Sequence, residues 1–280
     1  MNAQVAPEIK AQASWHAELQ LRFATQGART VLVERKHLGP LLVQRPFYPE
    51  VDVCHVYVIH PPGGIAGGDH LQLRAQLDAK THALITTPAA TKFYRAGPGR
   101  VSVLRQNLQL KAATLEWLPQ ETIYFNQAQA RTLTRIDLDT ASRCIAWEIN
   151  CYGRRAGDEP FAAGRVRQGL ELWLNGKPLL LDHLHVEGAG SMQRAAWGLQ
   201  DNSVLGTLVA YPASSADVQA IRALELDDGK LGCTLIDGML LCRCLCDDSA
   251  EAKQLLLKVW QCLRPRVLQR EAVLPRIWAT

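Results

Sequence analysis

Three groups of residues in this chain have types and spacings that can do chemistry. The first is His60-Pro61-Pro62-Gly63-Gly64-Ile65-Ala66-Gly67-Gly68-Asp69, which opens on an imidazole and closes on a carboxylate. The second is Cys242-Arg243-Cys244-Leu245-Cys246, with thiols at every second position. The third is Asp182-His183-Leu184-His185, with two imidazoles at the same spacing. A glycine-rich stretch with charged ends could grip a phosphate, handle a metal ion or only turn the chain. The phosphate reading fails on sequence grounds. A phosphate loop needs Gly-Lys-Ser/Thr running into a helix. Here Asp69 stands where the lysine would be, and a strand-like run follows. The three thiols would share one strand face and could hold a soft metal, although zinc sites usually place Cys-x-x-Cys on a turn. Buried free cysteine also serves as a small apolar group. His183 and His185 could bind a metal or merely end an exposed strand, and His55 and His60 are candidates of the same kind.

Two single residues complete the set. Glu148 lies in the apolar run Cys144-Ile145-Ala146-Trp147-Glu148-Ile149-Asn150-Cys151. An unpaired charge is costly to bury, so Glu148 is expected on a solvent face; the alternative is burial with a partner. Lys92, flanked by turn residues, is either a solvated loop lysine or such a partner. Gly-x-Ser-x-Gly, His-Glu-x-x-His and a Cys-His nucleophile pattern are all absent, so no hydrolase signature is legible.

The elements that must position these residues are mostly strands. Trp15, Ala17, Leu19, Leu21 and Phe23 alternate with polar residues, and so do Leu71, Leu73, Ala75, Leu77 and Ala79. Further short strands are predicted over 30–34, 41–43, 51–59, 82–87, 101–110, 114–118, 122–125, 132–138 and 144–151, with 88–95 as a loop or short turn. Asn175-Gly176 predicts a hairpin between 169–174 and 177–181, because a type I′ turn needs two positive-φ positions. Gln26-Gly27, Asp228-Gly229 and Asp237-Gly238 mark further turns. Ser214 with Asp217 starts a helix carrying Val218, Ile221 and Leu224. Asp248 caps a second, with Ala252, Leu255, Leu256, Val259, Trp260 and Leu263 on one stripe and Pro265 at its end. Evenly spaced turns indicate a sandwich, barrel or solenoid rather than βαβ units. No repeat of fixed period is visible, so a regular solenoid lacks support.

Composition limits the function classes. The net charge of the 280 residues is only +4 and the basic residues are scattered, so no nucleic-acid footprint is read. No apolar run is long enough to span a membrane as a helix. Glu8, Lys10 and His16 fall where an export signal would be apolar, and the eight cysteines show no disulfide spacing. The expectation is a cytoplasmic protein with reduced thiols. Residues 1–13 are expected to form a flexible arm on a single domain covering 1–280.

Several stretches together carry a resemblance. They are Gly39-Pro40-Leu41 through Gln44-Arg45-Pro46-Phe47-Tyr48-Pro49-Glu50, the His60–Asp69 motif, Thr86 to Tyr94, Leu115-Glu116-Trp117-Leu118-Pro119-Gln120-Glu121-Thr122, and the closing Leu274-Pro275-Arg276-Ile277-Trp278-Ala279-Thr280. In this order they resemble the urease accessory protein UreD family, called UreH in some bacteria, over essentially the whole chain. The resemblance implies a mainly β fold of solenoid-like (β-helix-like) stacked sheets, with a small number of helices towards the C-terminus. It implies a non-enzymatic maturation factor that binds apo-urease and a helical accessory protein of the UreF type. Through that protein it meets a nickel-delivering GTPase of the UreG type. No cofactor is permanently bound; nickel is in transit, along an internal water-filled path. By motif position Asp69, Glu148 and Asp182 are the expected weak metal contacts, with Thr91 and Lys92 as polar lining. His60, Gly63, Gly64, Gly67 and Gly68 form the motif. The cysteine trio and the His183/His185 pair lie outside the family pattern. A rival reading, a metal-storage or metal-sensing protein, would use Cys242–Cys246 instead. A cryptic hydrolase would need an activity that no motif suggests. The C-terminal helix and tail are expected to pack on the chain's own sheet rather than on a partner.

Overall fold

A computed structural model describes residues 14–154, 157–224, 226 and 230–279. The expected arm at 1–13 and the expected turn at Asp228-Gly229 lie outside these residues.

The chain opens with β1 (His16–Gln26) and β2 (Arg29–Leu38), an antiparallel hairpin turned at Gly27. It continues through β3 (Leu42–Val43), β4 (Cys54–Ile59), β5 (His70–Leu77), β6 (His82–Thr86), β7 (Thr91–Phe93), β8 (Ser102–Leu110) and β9 (Thr114–Trp117). Next come β10 (Thr122–Tyr124), β11 (Gln129–Leu138), β12 (Arg143–Arg154), β13 (Glu159–Pro160), β14 (Arg165–Leu174) and β15 (Lys177–Glu187). Helix α1 (Ser191–Arg194), β16 (Val204–Tyr211), α2 (Ser215–Arg222), β17 (Leu231–Ile236), β18 (Met239–Cys246) and α3 (Ser249–Leu263) close it.

The fold is mainly β, with its helices towards the C-terminus. One sheet runs β15-β14-β11-β8-β5-β1-β2 and the second β17-β18-β16-β12-β9-β6-β4-β3, with β7, β10 and β13 attached to the second through β12 and one another. Through the middle of the chain the path passes back and forth between the sheets, so β1-β5-β8-β11-β14 and β4-β6-β9-β12 stack in parallel, while β2, β3, β15, β16, β17 and β18 pair antiparallel. His70 sits opposite Val103, Val103 opposite Arg131, and Arg131 opposite Arg167. The steps between these neighbours are unequal, which is why no fixed repeat shows in the sequence.

Alternation decides which side chains meet between the sheets. Leu71, Leu73, Ala75 and Leu77 of β5 point inward and join Leu104, Leu108, Ile136, Leu170 and Leu172 in one core. A second core lies on the far side of the second sheet, under α3. Ala252, Leu255, Leu256, Val259, Trp260 and Leu263 form its stripe, each fully or nearly buried. Burying each large apolar side chain contributes about 1.5–3 kcal/mol, which fixes α3 on this face. With a core on both faces, β16 is buried at every position and β12 at nearly every one.

Local signals explain the remaining elements. Asn175 and Gly176 take φ of 50° and 75°, the pair a type I′ turn requires. Ser214 and Asp217 form the expected capping box, and Asp248 caps α3 by accepting from the Ala250 amide. Three expectations need correction. The predicted loop at 88–95 contains β7, because Thr91–Phe93 pairs in parallel with β10. The strand predicted from Val51 starts at Cys54, since Val51 holds a φ of 64°. Pro265 does not end the helical path: α3 stops at Leu263, and a wider π-type turn, Arg264–Leu268, carries the chain on.

Candidate functional site

The His60–Asp69 loop carries the chain from β4 in one sheet to β5 in the other. Its geometry is fixed from within. The Asp69 carboxylate accepts the Ala66 amide at 2.8 Å and the Trp15 amide at 2.8 Å, so both oxygens hold backbone. Ile65 pairs with Phe93 of β7, donating to Lys92 and accepting from Tyr94. Ser102 and Arg100 donate to the Ala66 and Gly67 carbonyls. Gly68 takes a φ of 92°, and a Cβ at Gly64 would overlap the Tyr94 ring. Gly63 and Gly67 complete the turn.

One face of this loop walls a cavity of about 370 Å³. His60, Gly63, Gly64, Thr91 and Lys92 all line it, so five of the motif and lining candidates converge here. Asp69 is not among its lining residues. Burial lowers the His60 pKa, and the nearby Asp69 charge offsets part of that shift. Gln106 of β8 also lines the cavity and connects it to the middle of the molecule.

There the sheets present polar residues at one level. In the first sheet Gln106 is opposite Thr134, Thr134 opposite Leu170, and Leu170 opposite Asp182. In the second, Glu148 is opposite Thr207 and Thr207 opposite Arg243. The rows join at both ends. Thr134 Oγ1 lies 2.5 Å from Glu148 Oε1, and Arg243 reaches Asp182 Oδ2 at 2.7 Å. The result is a row of polar groups between the sheets, interrupted on the first sheet by the buried Leu170. Gln106 faces the loop cavity at one end. Asp182 and Arg243 line a second pocket of about 400 Å³ at the other.

Glu148 is therefore not on a solvent face. Period two turns it towards the first sheet, while Trp147 and Ile149 face the core under α3. It lies between the two sheets and keeps part of its surface exposed. Burial pushes its carboxyl up to about 7; the Thr134 hydroxyl holds it back in part and the Asp182 charge adds to the rise.

The other candidates lie elsewhere. Cys242, Cys244 and Cys246 are buried in the core under α3, and burial raises all three thiols, Cys244 to about 12. Thiols held so firmly protonated behave as apolar groups. His183 and His185 stand on the outer face of β15, within 2.9 Å of Glu171 and 3.7 Å of Glu187. Among the described residues no three His, Cys, Asp or Glu side chains converge to hold a metal ion.

Sequence reasoning misses one constellation altogether. Glu116, fully buried, accepts from His82 at 2.8 Å, from Trp260 at 2.7 Å and from Arg264 at 2.9–3.1 Å. Arg264 also grips both oxygens of Glu50 at 2.8 Å, and Glu50 meets His55 at 2.9 Å. Burial opposes the Glu116 charge, but His82 and Arg264 prevail and hold its carboxyl down at about 2. This network clamps the end of α3 to the second sheet. Glu50 and Glu116 lie in stretches that carry the family resemblance, which was the available signal. The C-terminal tail does pack on the chain's own sheet: Trp278 donates to Thr86 Oγ1 at 3.0 Å and stacks on Trp147.

A family model described as UreD urease accessory protein matches residues 16–279. Proteins named "Urease accessory protein UreD" are similar along nearly the full length. The one from Citrobacter koseri is 45% identical over 270 residues, covering 95% of this chain and 92% of its own. The one from an Enterobacter species is 43% identical over 279 residues, covering 99% and 100%. That from Klebsiella aerogenes is 44% identical over 270 residues, covering 95% and 97%.

Proposed function

The chain belongs to the UreD urease accessory protein family, and from that premise we propose that it serves urease maturation as a non-catalytic scaffold with an internal route for nickel. It binds apo-urease and a helical accessory protein of the UreF type, which brings the UreG-type GTPase. It acts in the cytoplasm and keeps no resident cofactor; nickel is its cargo. The observation that supports the route is Glu148: a carboxylate between the two sheets, 2.5 Å from Thr134 and in register with Thr207 and Arg243, which in turn meets Asp182.

The chemistry fits transit better than storage. Nickel(II) is held more weakly by carboxylate, hydroxyl and amide oxygens than by thiolates, which would trap it. Glu148 and Asp182 are the two groups of the row able to carry negative charge, and Thr134 and Thr207 supply hydroxyls. Thr91 and Lys92 stand on the wall where the row meets the loop cavity. Asp69 acts at a distance, by fixing the loop that shapes this wall.

Co-expression followed by pull-down tests the scaffold: the chain should hold apo-urease and the helical partner in one complex. A chain recovered alone, with urease still activated normally, would overturn it. Glu148→Ala should leave the complex intact while urease activation falls severalfold.

A further inference from the structure

We propose that the outer face of the first sheet is a docking site for an acidic segment of a partner protein, held by Arg105, Arg131 and Arg167. The inference deepens the scaffold reading and rests on it for the existence of a protein partner. It does not touch the nickel route, which runs on the inner face of the same sheet.

Strand register gathers here what the sequence scatters. Val103, Arg131, Arg167 and His185 are neighbours across the sheet, and Arg105, Leu133, Gly169 and His183 form the next row on the same face. Leu104 and Leu170, which alternate with them, turn to the core, so both rows face outward. A groove of about 790 Å³ lies over them. The three arginines are exposed. Other arginines of this face have partners: Arg135 meets Asp137 at 2.7 Å and Arg165 meets Glu187 at 3.0 Å. Glu171 is taken by His183 at 2.9 Å, and Glu18 lies 4.0 Å from Arg74. Among the described residues Arg105, Arg131 and Arg167 meet no carboxylate. Arg131 and Arg167 are directly opposite each other on strands about 4.8 Å apart, where like charges repel. A carboxylate laid beside them replaces that repulsion with attraction, and a guanidinium can take it through two parallel N–H bonds. Val103 and Leu133 are half-buried among these charges, so the groove has an apolar floor and a cationic rim, the arrangement of a protein-docking patch. A nucleic acid suits the groove less well. Among the described residues no Phe, Tyr or Trp lines it to stack on a base, and Glu18 and Glu171 would face the phosphates. A peptide can set a carboxylate on each arginine and an apolar side chain on Leu133.

The test is fluorescence anisotropy of a labelled peptide, Asp-Glu-Glu-Leu-Glu-Asp-Glu, titrated with the full-length chain. The controls are the same peptide with Asn and Gln in place of Asp and Glu, and a thymidine oligonucleotide of equal charge. The acidic peptide should bind saturably in the micromolar range, about tenfold or more tighter than the amide version, and should weaken as salt is raised. The triple variant Arg105→Gln, Arg131→Gln, Arg167→Gln should bind it about tenfold less tightly and keep the circular dichroism of the parent. Lys80→Gln, Lys111→Gln, Lys258→Gln removes the same charge from exposed sites elsewhere and should bind it normally. No saturation, equal binding of the amide peptide, tighter binding of the oligonucleotide, or an equal loss in both triple variants would overturn the proposal. If the arginine triple variant misfolds, Arg131→Gln alone decides, with a loss of about twofold or more expected. A chain that binds the peptide yet recovers neither apo-urease nor the helical partner would overturn the scaffold alone. An intact complex with no peptide binding would overturn this docking face alone.

Discussion

Thr134 has one hydroxyl proton and two acceptors at bonding distance, Gln106 Oε1 at 2.7 Å and Glu148 Oε1 at 2.5 Å. One of these bonds must therefore run the other way. Either Glu148 is protonated and donates to Thr134, or it is ionised and the Gln106 amide turns its NH2 towards the hydroxyl. A carboxyl raised to about 7 populates both states near neutrality. The sign of the linkage follows. The folded protein binds this proton more tightly than the unfolded chain, so stability is fully present below about pH 4.5 and falls as pH rises through about 7. Glu148→Gln should accordingly melt at a higher temperature than the parent at pH 8. The difference should vanish at pH 4, as thermal unfolding at the two pH values would check. A constant difference between them would contradict the titration. Sequence alone does not disclose this residue, because both faces of β12 are covered, one by a sheet and the other by α3. Period two shows that Glu148 differs in face from Trp147, but not which face is solvent.

The loop and the clamp belong to the scale of elements. The His60–Asp69 loop is legible in the sequence because glycine and proline act locally, through φ and close approach. What cannot be read is that Asp69 spends both oxygens on backbone amides. Asp69→Ala leaves the Ala66 and Trp15 amides unpaired and should cost about 1–3 kcal/mol, with faster proteolysis within 60–69 as the local readout. Asp69→Asn, which keeps one acceptor, should lose less. The clamp around Glu116 is invisible in sequence, since it joins residues from four separate stretches, 50–55, 82, 116 and 260–264. Its removal should be costly. Arg264→Met strands two carboxylates and should destabilise the fold by about 3–5 kcal/mol in urea denaturation. Because the Glu116 carboxyl is held down at about 2, its share of stability is present above about pH 4.5 and disappears as pH falls towards 2. β16 escapes the alternation test for a related reason: buried on both faces, it is apolar at nearly every position, with Thr207 the exception. α3 is read correctly because only one of its faces meets the protein, which leaves a clean stripe.

At the scale of the whole molecule, the chain winds between two sheets in unequal steps and encloses a largely apolar core crossed by a polar row that includes Gln106, Thr134, Glu148, Thr207, Arg243 and Asp182. The proposed route would run along that row, from the loop cavity to the pocket at Asp182 and Arg243. Composition and motif order convey the mainly β architecture and the family. They do not convey the row, because its members are spaced irregularly along the sequence and meet only through strand register. The nickel content of urease co-produced with Glu148→Leu tests the central claim most directly, with the complex verified by pull-down in the same preparation. An apolar side chain of similar reach keeps the packing and removes the oxygen donors. The account predicts an intact complex whose urease holds severalfold less nickel than urease matured by the parent chain. An intact complex with fully loaded urease would show that nickel does not pass Glu148.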